Sequence, residues 1–163
     1  MKKTIQHICR TVAAALLALS ATGCTLTGGD KEARDAARQW AEAYFNGDYH
    51  EAERLTAGES RKWLLLAASN TTDAMLQLLQ AEGGAAADIR SFAAASDTTA
   101  SATVGVSRYM LPAAIGGQPA TAADGLFVLN MVRRNGRWLV KIGQLPRAVR
   151  TADRRQNGTQ SRD

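Results

Sequence analysis

The sequence predicts an α+β domain, with N-terminal helices packed on a curved antiparallel sheet of about four strands, behind a cleaved signal peptide. Three observations carry that expectation. Apolar residues recur at three- and four-residue steps in the first half and alternate in the second, so the period changes once and the halves do not interleave. Asn135-Gly136 stands between two apolar runs, the pair that a two-residue type I′ hairpin turn favours. The first 24 residues have the layout of a secretory signal.

That signal has a basic start in Lys2, Lys3 and Arg10, an apolar run from Thr11 to Ala21, and small residues before Cys24. The run is too short to span a bilayer, which takes roughly 20 residues. Of the two cysteines, Cys9 lies inside the discarded segment, so the mature chain begins with its one thiol. Ala21-Thr22-Gly23-Cys24 resembles the lipobox of bacterial lipoproteins, departing from it at Ala21, where Leu is usual. The resemblance implies that Cys24 carries a thioether-linked diacylglycerol and is the membrane anchor, with a further acyl chain making the attachment stable. It implies the cell envelope as location. Because Thr25 rather than Asp follows the cysteine, it implies the outer membrane, facing the periplasm, in a Gram-negative host.

The chain then divides into a signal peptide over residues 1–23, a lipidated tether over 24–30, one domain over 31–146 and a basic disordered tail over 147–163. With 163 residues less the 23 of the signal, 140 remain, enough to bury a core without disulfides. The formal charge of +5 comes from 20 basic and 15 acidic residues; three of the basic ones leave with the signal, so the mature chain carries 17 against 15, or +2. No basic stripe with interleaved aromatics points to nucleic acid.

From Lys31, the residues Ala33, Ala36, Ala37, Trp40, Ala41, Tyr44 and Phe45 share one helical face, and Asn46-Gly47 supplies the C-cap. Asp48 with Glu51 forms a capping box for a short helix through Leu55. Thr56 with Glu59 repeats that spacing ahead of a third helix over 60–68, and after Asn70-Thr71-Thr72-Asp73 a fourth runs from Ala74 to Ala81. Strands follow: Ile89 to Ala95, then Ala100 to Ser107 with Ala and Val alternating against Ser, Thr and Gly. Leu111 to Asp124 reads as a long loop. Leu126 to Val132 is apolar on both faces, as a central strand would be. Trp138, Val140 and Ile142 mark the return strand of the hairpin.

Helices followed by such a hairpin resemble the nuclear transport factor 2-like (cystatin-like) superfamily. Trp40-Ala41-Glu42-Ala43-Tyr44-Phe45-Asn46-Gly47-Asp48-Tyr49 resembles its first helix and turn, and Arg134-Asn135-Gly136-Arg137-Trp138-Leu139-Val140 its closing hairpin. The resemblance covers residues 31–146 and implies a cone-like domain with a pocket between helices and sheet. Trp40 and Tyr44 on the first helix, with Arg108 and Asn130 in strands, are the candidates to line it.

Enzymes of that superfamily place an acid or base in the pocket. The one mature histidine, His50, lies among Asp48, Glu51 and Glu53 on a charged helix and reads as solvent-exposed. No His/Cys/Asp cluster has metal-ligand spacing, and neither Gly83-Gly84 nor Gly116-Gly117 has the setting of a phosphate loop. Trp63 and Trp138 read as core. The expectation is a non-enzymatic envelope lipoprotein, without cofactor, that binds a protein partner or a small apolar ligand at the membrane surface. Two alternatives stand beside it: a pocket enzyme of isomerase or dehydratase type, and a structural subunit of a secretion or conjugation assembly.

Overall fold

The computed structural model describes residues 28–111 and 118–149 and has the expected α+β architecture, helices first and then a four-stranded antiparallel sheet. The signal segment, Cys24 and the tail from Arg150 onward lie outside the described residues. Helix α1 spans Gly28–Phe45, and its Ala33, Ala37 and Ala41 form an i, i+4 row that is fully buried. Side chains this small let the helix axis come close to the sheet, where α1 meets β1, β2 and β4. Gly47 closes the helix at φ 78°, a conformation costly for any residue with a Cβ.

Helix α2 (Tyr49–Arg54) starts as expected, with the Asp48 carboxylate accepting from the Glu51 amide at 3.0 Å. Helix α3 (Arg61–Ser69) does not start on a Thr56 cap. A 3-10 turn over Gly58–Ser60 leads into it, and Thr56 is buried with its hydroxyl used elsewhere. Thr72 caps helix α4 (Asp73–Ala81) through the Met75 amide.

Strands β1 (Ala86–Ser96), β2 (Thr99–Met110), β3 (Thr121–Arg134) and β4 (Arg137–Lys141) pair in sequence order. Asn135 and Gly136 turn the last hairpin at φ 51° and 77°, as the type I′ geometry requires. The expected loop is shorter than its composition indicates, because Met110 pairs with Thr121 and the Leu111 amide donates to Ala120 O at 2.9 Å. Cross-strand pairing with the long β2 holds Thr121 to Asp124 extended although they lack apolar alternation. Strand β3 also differs from expectation. It is central in the order, but Phe127, Leu129 and Met131 are buried under the helices while Val128, on the other face, is 51% exposed.

Trp40 ties these layers together. Its indole N–H, fully buried, donates to Thr56 Oγ1 at 2.7 Å, and that hydroxyl donates to Ala52 O at the end of α2, also at 2.7 Å. On either side of Thr56 the backbone pairs with β4: Val140 N donates to Leu55 O at 2.7 Å and Ala57 N to Val140 O at 2.9 Å. The Ser60 hydroxyl then accepts from the Ile142 amide at 3.0 Å. Residues 55–60 thus cover the edge of β4 that the sheet leaves open.

Replacing Thr56 by Val keeps the shape but orphans the buried Trp40 N–H, and leaves the Ala52 carbonyl only its bond from the Leu55 amide at 3.2 Å. We expect a loss of about 1–3 kcal/mol in urea unfolding, with Thr56→Ser losing less because the hydroxyl remains.

Candidate functional site

Strand β4 has five residues against fourteen in β3, and it pairs only with residues 130–134. The lower half of β3 is therefore left without β4. Gly143 and Pro146 keep the chain after β4 from continuing as a strand, since Pro has no N–H to give a ladder. The segment returns to the sheet at Val149, whose amide donates to Leu126 O at 2.7 Å. Between that segment, the sheet and the ends of α3 and α4 lies a cavity of about 660 Å³. Ligand pockets run from about 300 to 1,000 Å³.

Each wall has its own source. Phe45, Tyr109 and Phe127 form one aromatic cluster at the sheet, with Phe45 and Phe127 ring centroids 4.4 Å apart and Tyr109 edge-on to Phe127 at 5.0 Å. Met75, Leu76 and Leu79 of α4 form the helical wall, and Leu145 to Ala148 close the third side. Tyr44 and Tyr49 stand at the α1–α2 corner, edge to face at 5.7 Å. The Tyr49 hydroxyl lies 2.7 Å from Thr71 Oγ1, and because Thr71 gives its own proton to Ala67 O at 2.9 Å, Tyr49 is the donor. Burial, and secondarily the neighbouring Tyr49, holds the Tyr44 phenol above its ordinary pKa of 10.0.

Of the candidates read from sequence, Tyr44 lines the cavity. Trp40 lies behind it, stacked on the Tyr44 ring at 4.7 Å and 11°, and belongs to the core. Arg108 and Asn130 do not face the cavity; both are exposed. The pleat decides this, since each stands between inward-facing neighbours or beside one: Asn130 between Leu129 and Met131, Arg108 before Tyr109. Arg108 sits at φ 55° and its Nε donates to Gly84 O at 2.8 Å, a link from β2 to the turn after α4. His50 is exposed, as expected. Sequence patterning does not single out Thr71, the α4 residues or the 145–148 segment as pocket residues. Composition places Arg147 and Ala148 in the tail, yet both line the cavity.

Chemically the cavity is an apolar container with hydroxyls at one corner. Among the described residues its lining includes no carboxylate and no imidazole, and Arg147 is the one charged side chain. Among the described residues no group of three His, Cys, Asp or Glu is placed to hold a metal ion.

Fold and cavity together define a helix-on-sheet α+β domain with an apolar pocket beyond the end of its shortest strand. In solved structures the chain is similar to an NTF-2-like protein of unknown function from Shewanella oneidensis MR-1, at 15% identity over 65% of this chain and 88% of that one, with a TM-score of 0.46. It is also similar to an Ntf2-like protein involved in plasmid conjugation, at 17% identity over 75% of this chain and a TM-score of 0.38, and it spans 49% of that longer chain. No family model matches the sequence, and no curated protein matches it.

The raised Tyr44 pKa makes a signed prediction. Below pH 10 both folded and unfolded chains keep that proton; above it only the unfolded chain releases it, so stability falls as pH rises toward the folded value. The urea midpoint should drop between about pH 9 and about pH 11, and Tyr44→Phe should flatten that drop.

Proposed function

We propose that this chain is a non-enzymatic, lipid-anchored protein of the cell envelope whose cavity takes a small apolar ligand beside the membrane. The observation that carries the reading is the 660 Å³ cavity itself, walled by aromatic and aliphatic side chains. Burial of apolar surface drives such binding at about 25 cal/mol per Å². An isomerase or dehydratase would call for an acid–base pair at the ligand, and the lining among the described residues supplies three tyrosines, a threonine and an asparagine in its place. The anchor rests on Ala21-Thr22-Gly23-Cys24. Helix α1 begins at Gly28, three residues after Thr25 and four after Cys24, so an acylated Cys24 would keep the domain against the lipid surface.

The two halves of the reading separate by experiment. For the cavity, the neutral fluorescent probe N-phenyl-1-naphthylamine should bind the purified chain, and Met75→Trp, which places an indole in the helical wall, should weaken it by about tenfold or more. Unchanged probe binding in that variant would move the site elsewhere. For the anchor, cells fed a fatty-acid analogue should label the wild-type chain and not Cys24→Ser. Equal labelling of the two would end the lipoprotein reading.

A further inference from the structure

We propose that the cavity's ligand is a single-chain amphiphile with an anionic head, and that Arg147 holds the head at the mouth; this rests on the ligand-binding reading above. The cavity is polarised. Leu145, Pro146 and Ala148 are half-buried and turn apolar surface to its wall, while Arg147, in the same segment, is exposed. An alkyl chain fits the aromatic and aliphatic interior, and the one charged group that the described residues offer to what protrudes is a guanidinium.

The pairing of the other arginines sharpens the point. Six of them stand against a carboxylate of the chain itself; Arg147, like Arg34, Arg108 and Arg137, makes no ion pair among the described residues, and of these four it is the one that lines the cavity. Among the described residues no acidic side chain lines the cavity to hold a cationic head. The neutral partners at the α1–α2 corner are in part committed, since Thr71 already accepts from Tyr49 and donates to Ala67 O. A neutral head would leave the guanidinium unused and a cationic one would meet repulsion. A carboxylate, sulfate or phosphate accepts two parallel N–H bonds from it.

The test compares heads on a constant chain. Dodecanoate, methyl dodecanoate and dodecylamine would each displace N-phenyl-1-naphthylamine from the purified wild-type chain, Arg147→Gln and Arg147→Lys, with circular dichroism confirming that the variants fold. Because Arg147 is exposed, the effect expected is that of a surface ion pair: dodecanoate should bind about two- to fivefold tighter than ester or amine. That preference should vanish in Arg147→Gln, persist in part in Arg147→Lys, and shrink at high salt. An acid-to-ester ratio equal in wild type and Arg147→Gln, with the probe still bound and displaced, overturns the head-group assignment and leaves the pocket standing. Failure of the probe and of all three ligands to bind overturns both.

Discussion

The hydrogen bond from Trp40 to Thr56 is the constraint on which the arrangement of layers depends. An indole carries a large apolar body and one N–H that must be answered when buried. Thr56 answers it at 2.7 Å and passes its own proton to Ala52 O, a carbonyl at the end of α2 that otherwise accepts only from the Leu55 amide at 3.2 Å. The same residue sits where the backbone pairs with Val140, so one side chain joins α1, α2 and the edge of β4. The consequence reaches the cavity. Tyr44, one turn beyond Trp40, stacks on it, and its ring direction at the pocket corner follows from the orientation of the indole.

Where structure follows from neighbouring residues, it was legible. The Ala33-Ala37-Ala41 row, the Asp48 cap, the Thr72 region that parts α3 from α4, and Asn135-Gly136 all act within a few positions of themselves. Asn46 shows the limit of such reading. Its place before Gly47 puts it at the end of α1, and there its Nδ2 does donate to Glu42 O at 2.7 Å. It also donates to Ala85 O at 2.9 Å and accepts from Ala85 N at 2.8 Å, which fixes the start of β1 thirty-nine positions away. Nothing local signals that second role.

The candidate site was legible only in part for the same reason. Tyr44 was found because it shares a helical face with Trp40. Arg108 and Asn130 were misplaced by weighing polarity above phase: once Phe127, Leu129 and Met131 turn inward, an alternating strand leaves Asn130 outside. The spacing of Thr56 to Glu59 fits a cap, but a buried indole competes for the same hydroxyl and the tertiary bond wins. Residues 145–148 gave no periodic signal at all. They become a wall only because β4 stops nine residues short of the length of β3, a comparison between two strands that no window along the chain contains.

The cavity stays open for a reason of space as well as topology. Tyr109 folds over Gly125 on the neighbouring strand, and a Cβ at that glycine would lie 2.6 Å from the ring's Cε1 and 3.0 Å from Phe127 Cε2. Contacts that short are not tolerated, so any side chain there would drive the tyrosine off the sheet. The ring packs edge-on against Phe45 and Phe127, and all three line the cavity. The missing side chain of Gly125 is thus what lets an aromatic wall lie flat against β3, and the volume left free beside it is as much a product of that glycine as of the short β4.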